Sequence, residues 1–146
     1  MSIIENFEQL NSLEEKLDFV KQLNKKSEFE QALYFYQILK KQFELQENHD
    51  KVMDCLCGIC QNLGNLGLVK EIEPYLSTYK VYCEKYGDDL AKLKLNSLII
   101  TAPKKYIYEY IKVIEKAGLE VVDIMLGSMS DYALFKNEFL PNCDFL

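Results

Sequence analysis

Cys55-x-Cys57-x-x-Cys60 crowds three thiols into six positions, and the chain's single histidine, His49, lies shortly upstream. Thiolate sulfur and imidazole nitrogen are the ligands zinc prefers, so this is where metal chemistry would be sought first. The spacing argues against it. On a helix Cys55 and Cys57 project about 200° apart and cannot converge on one ion without unwinding the backbone. Cys60 falls at a position that recurs as apolar, and a free cysteine behaves as a small buried hydrophobe. Neither a metal nor another cofactor is expected. His49 stands at the start of a helix, with no Ser or Cys tied to it by a nucleophile motif. Its expected role is capping or exposure. The carboxylate pairs Glu14-Glu15 and Asp88-Asp89 sit where helices begin and offset the positive end of the helix dipole. No catalytic residue is expected, and the chain reads as non-enzymatic.

The elements that carry these residues are helical over the first two thirds. Glu14–Leu23 spaces Leu17, Phe19, Val20 and Leu23 on a helical period. Ser12 caps it, with Glu15 three residues on. After a polar break at residues 24–27, the run from Glu28 to Gln46 has no Gly or Pro and predicts a long second helix. His49-Asp50 opens a third, whose apolar positions are Leu56, Ile59, Cys60 and Leu63. A Gly-rich break at residues 64–67 precedes a fourth, from Leu68 to Tyr86. Pro74 lies early in it, where a missing amide costs little, and moves its start or bends it.

The pattern recurs after forty residues. Phe29, Ala32, Tyr36 and Leu39 superpose on Val69, Ile72, Leu76 and Tyr79, while Phe19, Val20 and Leu23 superpose on Ile59, Cys60 and Leu63. Such a period means stacked units that cannot bury their apolar faces alone. Ser27–Lys40, S-E-F-E-Q-A-L-Y-F-Y-Q-I-L-K, resembles the second half of a tetratricopeptide repeat in its small-x-aromatic-x-x-Ala-x-x-x-aromatic pattern. The resemblance covers residues 12–87. It implies two helical hairpins whose small residue turns the chain, whose alanine admits a close helix, and whose first helices line a concave groove. The second copy departs from the pattern, with Ile72 and Leu76 in place of Ala and an aromatic, and the period is longer than usual. Longer repeats of this kind are found in bacterial cytoplasmic peptide sensors.

No third copy follows, because Pro103 would fall on a core position. Instead Leu98–Thr101 is apolar and rich in β-branched residues, Lys104–Ala117 is a helical run ended by Gly118, and residues 120–126 form a second apolar run. That order predicts strand, helix, strand. The alternative is an all-α chain with a degenerate third hairpin. I-I-T-A-P-K-K, Ile99–Lys105, followed by I-E-K-A-G-L-E-V-V-D-I, Ile114–Ile124, resembles a segment of the actin-like bacterial cell-division family FtsA, over residues 96–140. In that family the segment joins an inserted subdomain to an ATPase core. The phosphate loops are elsewhere, and no Gly-rich cradle stands in this sequence, so ATPase activity does not carry over.

The expected architecture is therefore mainly α: a capping segment over residues 1–11, hairpins over 12–87, and a small β-α-β segment over 88–146. A net charge of −6 argues against a nucleic-acid partner, since phosphate binding needs clustered Lys and Arg. No stretch approaches the roughly 20 apolar residues of a membrane span. An odd number of cysteines does not make a disulfide framework, and the start lacks the basic and apolar runs of a secretory signal, so a cytoplasmic setting is expected.

The partner expected is a protein or peptide. The groove residues proposed for it are Leu17, Lys21, Asn24 and Lys25 in the first hairpin, with Cys57, Gln61 and Asn65 in the second. Amides there pair with a ligand backbone, and lysines take a carboxylate. The aromatic stripe Tyr34, Phe35, Tyr36, Tyr75, Tyr79, Tyr82 and Tyr86 is expected to pack between helices. Ile3, Ile4 and Phe7 are expected to face inward over one open end of the array, with the tail covering the other. A homodimer is expected if either cap fails. Three functions fit: a binding adaptor or regulator, a peptide-sensing regulator, and a cell-division accessory protein.

Overall fold

A computed structural model describes the backbone of residues 2–96, 98–102, 104–119, 121–126 and 129–130, and the side chains of residues 2–93, 95 and 105–119. The described chain is mainly helical. The short helix α1 (Ile3–Glu8) leads into α2 (Leu13–Lys25), α3 (Phe29–Leu45) and α4 (His49–Asn65). A 3-10 turn at Val69–Glu71 then precedes α5 (Ile72–Tyr86), and α6 (Asp89–Asn96) and α7 (Ile107–Lys116) follow.

Local chemistry explains the boundaries. The Ser12 hydroxyl accepts a 3.1 Å bond from the Glu15 amide at the start of α2. Asn48 caps α4 through a 3.4 Å bond from the Lys51 amide. Pro74 is the third residue of α5, where the amide it lacks would have no helical partner, and the 3-10 turn absorbs the late start. Helices α2, α3 and α4 end in one way, as does α7 at Gly118. Ser27, Glu47 and Gly67 adopt left-handed φ values of 62°, 55° and 76°. The next residue's amide then reaches back five positions: Glu28 to the Leu23 carbonyl, Asn48 to Phe43 and Leu68 to Leu63, at 3.0, 3.0 and 2.9 Å. These three turns fall every twenty residues, so the forty-residue self-match spans two of them.

Helix α3 packs between α2 and α4, and α4 between α3 and α5. Two longer-range contacts complete the arrangement. Lys21 lies 3.8 Å from Asp54, so α2 runs beside α4 there. Gln37 Nε2 donates to Tyr75 Oη at 3.1 Å, setting α3 beside α5. Five superposed pairs of the self-match are buried at both members: Val20/Cys60, Leu23/Leu63, Ala32/Ile72, Tyr36/Leu76 and Leu39/Tyr79. Gly58 lets α3 and α4 close in, because a methyl group there would run into the Tyr36 ring.

The N-terminal cap differs in part from expectation. Phe7 is buried and stacks on Phe35 with ring centroids 4.2 Å apart, and Ile3 packs at the core's edge. Ile4 instead points outward, 48% exposed, since a six-residue helix has only one face to bury.

Toward the C-terminus, α7 buries Ile107, Tyr110, Ile111 and Ile114 in the same continuous core. Lys80 Nζ donates to the Ala117 carbonyl at 2.9 Å, and Lys116 pairs with Glu73 at 2.9 Å, pinning α7 to α5. The backbones of Leu98–Ala102 (β1) and Val121–Leu126 (β2) are extended and pair in parallel, from Leu98 opposite Val121 to Ala102 opposite Leu126. Met129–Ser130 (β3) pairs antiparallel on the far side of β2. The tail, with Cys143, Phe145 and Leu146, lies outside the described residues. No described helix is long and apolar enough to cross a membrane.

Candidate functional site

Helix α4 is the most enclosed of the long helices. Its 3.6-residue period sends Val52, Leu56, Ile59 and Leu63 into the core and leaves Asp50, Asp54, Cys57, Gln61 and Asn65 on one stripe. Across this stripe α2 contributes Lys21, 43% exposed and paired to Asp54. Acid, base, thiol and amide groups therefore share one face, framed by two helices that the core holds rigid.

The sequence-derived groove maps onto this face unevenly. Lys21 and Gln61 belong to it, and Asn65, at its far end, is half-buried with a contact of its own. Lys25 is exposed at the end of α2. Asn24 is half-buried, and its Oδ1 is enclosed without a hydrogen-bond partner among the described residues. Leu17 is a correction: only 1% exposed, it belongs to the core and not to the groove. It shares its side of α2 with Val20 and Asn24, a stripe closed by the neighbouring helices.

The cysteines separate as the helical angle requires. Cys55 is buried and its thiol is pushed up to about 12, chiefly by loss of water and next by the Asp54 charge. Cys60 is raised too, by burial and then by Cys57. Both are held neutral, and a neutral thiol is neither a nucleophile nor a metal ligand. No group of three His, Cys, Asp or Glu able to hold a metal occurs among the described residues.

His49 is more engaged than a simple cap. Its Nδ1 lies 2.7 Å from Tyr82 Oη, and its ring stacks on Tyr86 at 3.6 Å and 8°. These contacts tie the start of α4 to the end of α5. Tyr36 and Tyr79 are core residues, whereas Tyr34 is 51% exposed and does not pack between helices.

One feature of the face was missed from sequence. A cavity of about 170 Å³ opens between α4, α5 and the start of α6, lined by Asp50, Met53, Asp54, Tyr79, Asp88, Leu90 and Ala91. Asp88 Oδ1 already accepts the Ala91 amide at 2.8 Å, and Asp54 is shared with Lys21. Asp50 forms no ion pair among the described residues. Tyr79 is 6% exposed, yet its hydroxyl has no hydrogen-bond partner there. Burial, then Cys57 and Cys83, then Asp54 hold its pKa well above the usual range, so the phenol stays protonated. The signal in the sequence was the pair Asp50 and Asp54, one helical turn apart.

A second cleft, of about 350 Å³, lies at the opposite end, between α1 and the start of α3, with Ile3, Ile4, Tyr34 and Phe35 among its walls.

No protein-family model, no curated protein and no solved structure matches this chain.

Proposed function

We propose that the chain is a non-enzymatic binding module that holds a protein or peptide against the polar stripe of α4 and the facing side of α2. The observation that carries this reading is the contrast within α4. A helix enclosed on its other sides keeps one stripe of polar and charged groups accessible, a composition that the core does not require. The neutral buried thiols and the absence of an activated nucleophile among the described residues favour binding over chemistry.

The tetratricopeptide-like reading draws support from the recurring left-handed turns and from the contacts of α2 with α4 and of α3 with α5. We read the C-terminal third as a β-α-β unit that closes the core. The parallel register of β1 and β2, with α7 between them in sequence, supports it. Tyr110 Oη donates to the Cys60 carbonyl at 3.4 Å, so α7 leans on α4.

The test is affinity capture from the native host with quantitative mass spectrometry, using wild type and Gln61→Arg. Gln61 is half-buried at the centre of the stripe, and a longer cation there obstructs a partner. The expected result is a specific protein recovered by wild type and lost with Gln61→Arg at an unchanged melting temperature. Equal recovery by both would remove the stripe from the account. A milder variant, Gln61→Ala, serves if the arginine lowers stability.

A further inference from the structure

The structure assigns the cavity between α4, α5 and α6 to a single cationic side chain, an arginine or lysine presented by a bound polypeptide. The inference rests on the binding reading above and names the chemistry of the partner's anchor residue. At about 170 Å³ the cavity is too small for a typical small-molecule ligand, whose sites run from roughly 300 Å³ upward. A single side chain is the matching size.

Its walls divide as a long basic side chain divides. Met53, Leu90 and Ala91 offer apolar surface for the alkyl stem, while Asp50, Asp54 and Asp88 supply carboxylates for the charged head. Asp88 Oδ1 is engaged by the Ala91 amide, while the other two carboxylates are lightly engaged. Asp50 has no ion pair among the described residues, and Asp54 has only the Lys21 contact at 3.8 Å, with both partners substantially exposed. Tyr79 supplies an independent indication. It is a polar group more than nine-tenths buried, it lines this cavity, and its hydroxyl is unpartnered among the described residues. The ring is enclosed while the hydroxyl oxygen stays accessible at the cavity, where a guanidinium or ammonium donates what it accepts.

The surroundings fit a polypeptide carrying that residue. Leu90 and Leu93 of α6 stand beside the cavity, 63% and 61% exposed, where they meet apolar residues flanking the cation. The whole chain's charge of −6 favours a basic partner in the same sense.

The experiment is a titration of the full chain with two short peptides, acetyl-Leu-Arg-Leu-amide and the same peptide with neutral citrulline replacing arginine, followed by backbone amide chemical shifts. The arginine peptide is expected to shift the amides of Asp50–Asp54 and Leu90–Ala91, with citrulline binding at least tenfold weaker. Asp50→Asn with Asp88→Asn weakens the arginine peptide by about tenfold or more. Tyr79→Phe, which removes only an unpaired hydroxyl and leaves the ring in the core, weakens it severalfold without lowering the melting temperature. Lys21→Ala, which frees Asp54, tightens it.

Equal binding of the two peptides, or unchanged binding by the aspartate pair, would overturn the assignment. Spermidine binding as well as the arginine peptide would overturn it in favour of a free polyamine site. A partner captured by wild type and kept in full by Asp50→Asn/Asp88→Asn leaves the binding module standing and removes the cation anchor. Loss of capture in Gln61→Arg, with the arginine peptide still bound, shows the two regions contributing separately.

Discussion

Two sides of α4 share one backbone and have opposite tasks. Val52, Leu56, Ile59 and Leu63 lie on one side, at most 2% exposed and packed against α3 and α5. Asp50, Asp54, Cys57 and Gln61 lie on the other, accessible to varying degrees and framed by Lys21. The apolar side fixes where the helix sits, through surface removed from water and close packing. The polar side contributes little to that placement. It can therefore vary in composition, and the proposed binding function places the partner there. The contrast predicts that substitutions on the two sides separate cleanly into stability effects and binding effects.

The largest effect is expected from Ile59→Ala, which deletes a side chain with no exposure. It should cost about 2–5 kcal/mol in urea unfolding, with the remaining folded protein still binding partner. A loss below about 1 kcal/mol would show that the α4 core is loosely packed. Gly58→Ala comes next, since its methyl group meets the Tyr36 ring. Roughly 1–3 kcal/mol of destabilisation is expected from overpacking, read from the same unfolding curves.

Alkaline pH sharpens the comparison by probing the buried thiols and phenols. Cys55, Cys60, Tyr36, Tyr79 and Tyr110 all have raised pKa values, with burial the first cause in each. Their protons stay on in the folded state while the unfolded chain releases them above its ordinary thiol and phenol values. Stability is therefore full below about pH 9 and falls as pH rises past it, by up to about 1.4 kcal/mol per pH unit for each group that titrates only when unfolded. Thermal melts from pH 7 to 11 should be level at first and then decline. A decline beginning below pH 8 would point to other groups.

A smaller gain is expected at the turn that leads into α4. Glu47 holds a left-handed φ of 55°, where Gly67 serves at the next turn. Glu47→Gly should raise stability by about 0.5–1 kcal/mol, as relief of the side-chain clash outweighs the added freedom of the unfolded chain. A loss of stability would mean that Glu47 makes a compensating contact.

Much of the helical frame was legible because it rests on local signals. Ser12 announces the start of α2 through a cap, and Ser27 and Gly67 mark turns by residue type. Glu47 gave no such signal, since nothing local predicts a glutamate in the left-handed region, and the twenty-residue spacing of turns stayed hidden behind a forty-residue one. The site was harder to read. Leu17 was placed on the groove by counting positions in a repeat, although its own apolarity argued for the core that encloses it. The cavity joins Asp50 and Asp54 to Tyr79 and to Asp88, Leu90 and Ala91 from farther along the chain, and residues that distant meet only through the fold. The polar stripe was visible in part, through Lys21, Gln61 and Asn65. Its acidic end was not, because carboxylates at helix starts are sufficiently explained by the dipole.

The most direct test of the α4 face is site-specific photocrosslinking in the native host. A benzophenone amino acid replaces Gln61 in one protein and Leu45 in another; Leu45 is 86% exposed at the end of α3 and away from the stripe. The account predicts a discrete cross-linked partner from position 61 and none from position 45. A partner caught at position 45 and not at 61 would contradict it.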